Sequence, residues 1–239
     1  MTVVLDLKAP LAAEAAFLRL GFSVLRLPPN PRLPLPVSSH PDMLVFFAPD
    51  EILCTKTYAE IAKKELDALC RAADRPMRVV EQECGDAYPY DILFNCATVG
   101  THRFCLPAFT AHEILTDSRF SVRPVKQGYT KCSTLPVGKQ ALITEDPSIE
   151  RAALSAGLDV MMIPAGEVKL DGYEHGFLGG ASSFAPYGID QKIYFCGSLK
   201  AHSMGDEIRD FCRSHGFEPI SLFDGPLTDV GTMFLIKGD

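Results

Sequence analysis

Apolar and polar positions alternate along this chain in two rhythms, a helical spacing followed by short apolar runs that suit strands. Residues 10–20 have helix-forming composition and stop at Gly21, a fitting residue just past a helix end; 22–27 then read as a strand. The proline-rich stretch 28–36 is irregular, because proline cannot feed a sheet ladder. Residues 43–48 and 51–55, joined by a Pro49-Asp50 turn, read as a hairpin. The longest helix is expected at about 58–73, with apolar residues at 61, 62, 66, 69 and 70 on one face. A strand at 77–81 and a hairpin from 91–98 and 101–105 follow, then a short helix near 108–115 and strands at 120–125, from 132 and at 140–144. Asp146 is placed to cap a helix that Pro147 starts, with Glu150 favouring its amino end and Gly157 ending it. Strands at 158–163 and 193–196, a helix at about 204–214, and strands at 218–222 and 231–236 complete the pattern.

Helix, strand, loop, strand thus recurs five times, in units of approximately 9–56, 57–106, 107–145, 146–200 and 201–239. Degenerate repeats of roughly 40–55 residues mean a solenoid or a radially closed array. No stretch has the composition of a linker, so 1–239 is expected to be one domain. Each unit's second strand is led by a polar or charged tip: residues 39–43, 89–92, 130–133, 174–177 and 228–231. If the array closes, these tips share one polar, partly acidic pocket.

Composition narrows the field of partners. Of the 239 residues 47% are hydrophobic and 22% charged, ordinary values for a globular chain. The net charge of −7 and scattered Lys and Arg argue against a nucleic-acid footprint. No apolar run approaches the roughly 18–20 residues that span a bilayer, and no signal-peptide pattern opens the chain, so neither membrane nor secretion is expected and the cytoplasm is the expected location. A homo-oligomer is compatible with all of this. The eight cysteines show no Cys-x-x-Cys or Cys-x-x-His pair; reduced core thiols are expected, with no metal and no cofactor.

Two kinds of chemistry suggest themselves at the tips. Cys132 is the cysteine that lies at a tip, and the charge of Lys131 beside it would favour the thiolate. His175, one unit on, would be its base, and an acid from Asp42, Asp91 or Asp229 would orient that histidine. The plain structural reading is a buried strand cysteine. The acidic tips, with Glu174 and Thr228 alongside, suit a planar cationic ligand such as a guanidinium or amidine; as ordinary turn residues, Asp42 and Asp229 would bond their own backbone instead. His40, extended before Pro41, is a second acid/base candidate. The glycine-rich stretch 172–183 lacks the elements of a nucleotide-binding loop, and 184–188 cannot begin a helix in that manner; its glycines suit close backbone approach near the axis.

This architecture resembles the pentein, or guanidino-group-modifying, superfamily, which includes arginine deiminases, dimethylarginine dimethylaminohydrolases and translation initiation factor six. The segment 224–236 is similar to the closing segment of the dimethylarginine hydrolases, and 39–42, 127–133 and 176–182 look like motifs of an uncharacterised bacterial branch. The resemblance implies an α/β fold: a five-bladed β/α propeller with pseudo-fivefold symmetry and a central polar pocket. It also implies a small-molecule enzyme, a cysteine-dependent hydrolase of a guanidino, amidino or related C–N bond. In those hydrolases the nucleophilic cysteine follows the Leu-Thr of the last unit, where this chain has Asp229-Val230, and the histidine belongs to the unit holding 127–133, which has none. Cys132, His175 and Asp229 would then be a relocated catalytic set, with His40, Asp42, Asp91, Lys131, Glu174 and Thr228 holding the substrate. The alternative is a non-catalytic pentein that binds a small cationic ligand or a protein, as the initiation factor does.

Overall fold

Val3, Val4 and Leu5 of the strand β1 (Thr2–Asp6) are fully buried, although the sequence pattern did not single this segment out. The computed structural model describes residues 1–186 and 191–237; Tyr187 and Gly188 of the 184–188 stretch lie outside the described residues. After β1 come α1 (Leu11–Arg19) and β2 (Ser23–Leu27), then a helical turn α2 (Pro41–Leu44), β3 (Val45–Phe47) and β4 (Ile52–Thr55). The expected long helix is interrupted at Ala62, giving α3 (Lys56–Ile61) and α4 (Lys63–Ala73), and leads to β5 (Met77–Val80). Next are β6 (Ala97–Val99), β7 (His102–Cys105), α5 (His112–Leu115) and β8 (Ser121–Pro124). β9 (Thr134–Val137), β10 (Ala141–Thr144), α6 (Pro147–Ser155) and β11 (Asp159–Met162) follow, then β12 (Ser183–Phe184), β13 (Lys192–Phe195), α7 (Gly205–Ser214), β14 (Glu218–Ser221) and β15 (Met233–Ile236).

These strands form five small sheets, and three share one plan. β3 pairs antiparallel with β4, and helices carry the chain back so that β5 runs parallel to β4. β6–β7–β8 and β9–β10–β11 repeat this. A parallel pair needs a crossover of about a dozen residues, which the helices supply. Each third strand therefore joins the hairpin before its helix, so β5 pairs with the strand of the preceding sequence unit. In the fourth sheet β13 and β14 are parallel, with an antiparallel bridge from Ser182 to Phe195. In the fifth, β15 pairs antiparallel with β1, and β1 parallel with β2, so the two ends of the described chain complete one sheet; β12 adds to its other edge.

Side-chain chemistry explains the elements that matter for the site. Asp146 caps α6 as expected: one carboxylate oxygen accepts from the N–H groups of Ser148 and Ile149 at 2.7 and 3.0 Å. Residues 91–96 are not the expected strand. They turn, with Asn95 N–H on the Ile92 carbonyl and Cys96 N–H on that of Phe94, because Ile92, Leu93 and Phe94 all bury while Asn95 reaches across to another segment. Residues 43 and 44 likewise belong to the turn α2, which Pro41 opens at its first position. All eight cysteines are free and seven are buried, in keeping with core thiols. Among the described residues no helix is long and apolar enough to cross a membrane.

Candidate functional site

Five segments, each leading toward the first strand of a hairpin or its equivalent, are hydrogen-bonded to one another. The Asp42 N–H donates to the Gly231 carbonyl at 3.1 Å, tying the segment before β3 to the one before β15. The Asn95 side-chain oxygen accepts from the Lys131 N–H at 2.7 Å, joining the segments before β6 and β9. Gly180 N–H donates to the Cys132 carbonyl at 2.9 Å, and Val230 and Thr232 donate to the Gly180 carbonyl at 3.1 and 2.9 Å. A Cβ at Gly180 would overlap the Asp229 carboxylate, and one at Gly231, where φ is +65°, would overlap His40. These glycines are what let the tips approach so closely.

Side chains complete the cluster. The Cys132 thiol donates to Asp42 Oδ2 at 3.1 Å, and Asn95 Nδ2 donates to the Cys132 sulfur at 3.3 Å. Thr232 Oγ1 donates to the same Asp42 oxygen at 2.9 Å and accepts from Lys131 Nζ at 3.1 Å. Thr232 holds φ at +67°, a left-handed backbone that a β-branched residue adopts only under constraint. His40 Nε2 lies 3.5 Å from Asp6 Oδ2, and its Nδ1 lies 3.9 Å from Asp229 Oδ1. The donor atoms of His40, Asp42 and Cys132 all fall within 4.8 Å of one another. His40 Nδ1 and Asp42 Oδ1 are buried with no hydrogen-bond partner.

Burial dominates the electrostatics here. His40, Asp42, Lys131, Cys132 and Asp229 are each at most 3% exposed. Desolvation pushes the Cys132 thiol well above its ordinary range, and the carboxylates of Asp42 and Asp229 push it further. The expectation that Lys131 favours the thiolate is thereby corrected: its ammonium is bonded to Thr232, and its own pKa is lowered by burial. Burial raises Asp42, and carries Asp229 up to about 7, with repulsion from Asp42 adding to it. Glu145, which accepts from the Leu178 N–H, is raised by burial to about 7 as well. His40 falls to about 3, because burial, and then the positive charge of Lys8, both disfavour the imidazolium, and the ring is neutral.

A cavity of about 180 Å³ opens onto this cluster, lined by His40, Cys132 and Asp229 together with the aromatic rings of Tyr129, Tyr173 and Phe177. Glu174, exposed, and His175, half-buried, line the same cavity. Asp42 and Lys131 instead line a second cavity of about 720 Å³ among the first strands. They therefore stand between the two spaces. The remaining expected residues go elsewhere. His175 Nδ1 faces the Gly176 carbonyl at 3.0 Å, so its ring is engaged by its own loop; the acceptor bonded to the thiol is Asp42, and the histidine beside it is His40. Asp229 orients no histidine at hydrogen-bond distance but accepts from the N–H groups of Phe177 and Gly231, both at 2.9 Å. Asp91 is fully buried behind the cavity wall, where it accepts from the Tyr129 hydroxyl at 2.7 Å. Thr228 stays with its own loop, its hydroxyl near the Pro226 carbonyl at 3.4 Å. Asp6, Asn95, Tyr129 and Thr232 went unnoticed in the sequence. Asp6 and Asn95 lie outside every motif, whereas Tyr129 and Thr232 fall within the segments 127–133 and 224–236 that carry the resemblance, where neither had been given a role.

The model of a family of unknown function, DUF6873, matches residues 4–234. No curated protein matches the sequence significantly. Among solved structures, the chain is similar to a dimethylarginine dimethylaminohydrolase adduct with 4-chloro-2-hydroxymethylpyridine, at 12% identity and a TM-score of 0.56, over 92% of this chain and 91% of that one. A cysteine-to-serine variant of the Pseudomonas aeruginosa dimethylarginine dimethylaminohydrolase, complexed with citrulline, gives the same identity, coverage and score. SxtG, an amidinotransferase of the saxitoxin biosynthetic pathway from Microseira wollei, matches at 10% identity and a TM-score of 0.50, over 87% of this chain and 72% of that one. At these identities the likeness is one of fold. It extends the resemblance read from the sequence to a mixed α/β architecture of small sheets, shared at a distance with pentein-superfamily proteins.

Proposed function

This chain belongs to the DUF6873 family of unknown function, and we propose that it is a single-domain, cytoplasmic enzyme of pentein type, a five-bladed β/α propeller acting on a guanidino, amidino or related C–N bond. The observation that carries this reading is the Cys132 thiol, hydrogen-bonded to Asp42 at the inner end of a cavity that also presents Asp229. The fold of the hydrolase and amidinotransferase neighbours supports it. In the reaction, Cys132 sulfur attacks the amidinium carbon as the thiol proton passes to Asp42. The C–N bond breaks, and the departing amine takes a proton from the Asp229 carboxyl, which titrates near neutrality and so can serve as acid and then base. Water attacks the sulfur-bound carbon and gives a proton back to Asp229; the C–S bond then breaks, Asp42 returns its proton to the Cys132 sulfur, and the ureido- or amide-type product leaves. Glu174 and the rings of Tyr129, Tyr173 and Phe177 hold the cationic ligand in the cavity. The test is release of amine or ammonia from a panel of guanidino and amidino compounds; a Cys132→Ala protein that retains full turnover removes Cys132 from the mechanism.

One observation favours a second reading, a non-catalytic pentein that binds a small cationic ligand or a protein. Burial and two carboxylates hold the Cys132 thiol protonated, the reverse of what a nucleophile needs in the free protein. The two readings separate on ligand addition: a cationic substrate that enters the cavity and speeds iodoacetamide modification or turnover supports catalysis, whereas thermal stabilisation by the same compounds without turnover supports binding.

A further inference from the structure

The side chains of His40, Asp42 and Cys132 present a nitrogen, an oxygen and a sulfur from two segments 90 positions apart, with all three donor atoms within 4.8 Å of one another. Two of these groups have an unused buried atom, His40 Nδ1 and Asp42 Oδ1, which no protein group satisfies. A buried polar atom without a partner is costly, and one explanation is an ion that the protein binds. We propose that His40, Asp42 and Cys132 form a mononuclear site for a divalent transition metal ion, with zinc best matched to the mixed nitrogen, oxygen and sulfur donors.

The surroundings already hold each ligand in the way metal ligands are held. Asp6 lies 3.5 Å from His40 Nε2, on the side of the ring away from the unpartnered Nδ1. Thr232 donates to Asp42 Oδ2, leaving Oδ1 free, and Asn95 Nδ2 supports the Cys132 sulfur. Such outer partners fix ring orientation and ligand direction. The charges also balance. Binding expels the thiol proton to solvent, and the divalent ion then neutralises the thiolate and the Asp42 carboxylate. Lys131 remains on Thr232, with Asp42 the charge that acts most strongly on its ammonium. His40 and Cys132 line the 180 Å³ cavity, so a fourth position can face it, the three-protein-ligand pattern that leaves room for water or substrate. Coordination shares the sulfur lone pair with the ion and lowers its nucleophilicity, so ion occupancy and the thiol chemistry proposed above compete for Cys132. The site does not depend on that chemistry being right, because its test reads binding and coordination, not turnover.

The experiment is titration of the purified full-length protein, after chelator treatment, with Co²⁺ and with Zn²⁺. The expected result is one equivalent bound, with a thiolate-to-cobalt charge-transfer absorption. Cys132→Ser should abolish that absorption, while Cys212→Ser, which alters a core thiol elsewhere, should keep it. Asp6→Asn should weaken Zn²⁺ binding by about 10–100-fold. X-ray absorption on the unmutated zinc-loaded protein provides a readout independent of folding of any variant: one sulfur per zinc at about 2.3 Å, with nitrogen and oxygen filling the rest. Absence of a one-to-one complex, a zinc shell with no sulfur or with more than one, or a charge-transfer band surviving in Cys132→Ser would each overturn the proposal.

Discussion

Cys132 shows why a residue's neighbours in sequence are a poor guide to its ionisation. Lys131 is adjacent in the chain, but its ammonium hydrogen-bonds to Thr232, while burial and the carboxylates of Asp42 and Asp229 set the thiol. Iodoacetamide labelling of Cys132, followed by mass spectrometry across pH, should therefore rise only above the ordinary thiol range near 8.5. Asp42→Asn removes a repulsive charge and should move that rise to lower pH, by about tenfold in rate at fixed pH for each pKa unit recovered. An unshifted profile in Asp42→Asn would mean that the carboxylate does not govern the thiol. Thr232 is the other residue whose role is plain at this scale. Its hydroxyl joins Asp42 to Lys131, and the strained backbone puts it there. Thr232→Val keeps the shape, loses both bonds and should cost about 1–3 kcal/mol in denaturant unfolding. A change below a few tenths would show that the bridge carries no weight.

At the scale of elements, local signals and contacts between segments divide cleanly. The α6 helix begins where its cap and proline say it must, because Asp146 bonds two N–H groups within its own first turn. Asp146→Ala should lose about 1 kcal/mol of stability in chemical denaturation with little effect on the distant cavity. The 91–96 segment is the opposite case. Its composition suits a strand, yet Asn95 is claimed by Lys131 and Cys132 across the cluster, and the segment turns to deliver it. Gly180 makes the same point through space rather than bonding. Gly180→Ala would force a methyl into the Asp229 carboxylate, and should displace Asp229 and abolish binding in the cavity while leaving the far-ultraviolet circular dichroism unchanged. Retention of wild-type ligand affinity in that variant would show that Asp229 does not need its present position.

For the molecule as a whole, the buried ionisable groups set opposing pH dependences. Asp229, raised from 3.8 to about 7, holds its proton in the folded protein across a range where the unfolded chain has lost it. Its contribution is full below about pH 4 and declines as pH rises toward about 7; Glu145, raised from 4.5 to about 7, acts in the same direction. His40 runs the other way. Lowered from 6.5 to about 3, it stays neutral when folded, so its contribution is lost as pH falls from about 6.5 toward about 3. Melting temperature measured across pH should show Asp229→Asn flattening the decline on approach to neutrality, whatever the variant's absolute stability. An unchanged slope would place Asp229 outside this balance.

The sequence by itself determined most helices and strands, the buried thiols and the fivefold recurrence of polar tips, because these depend on periodicity, caps and glycines read over a few neighbouring residues. It also gathered Cys132, His175 and Asp229 with His40, Asp42, Asp91, Lys131, Glu174 and Thr228 as one neighbourhood. Tertiary structure alone decided which of them touch. It gave the thiol to Asp42 rather than His175, engaged His175 and Thr228 within their own loops, placed Asp91 behind Tyr129, and brought Asn95 and Thr232 into the cluster. It also set β1 between β15 and β2, which no local pattern announces. The physical reason is common to all of these. Pairings between segments tens of residues apart, and the desolvation they impose on charged groups, arise only when the chain is folded, and neither is written in the spacing of residues along it.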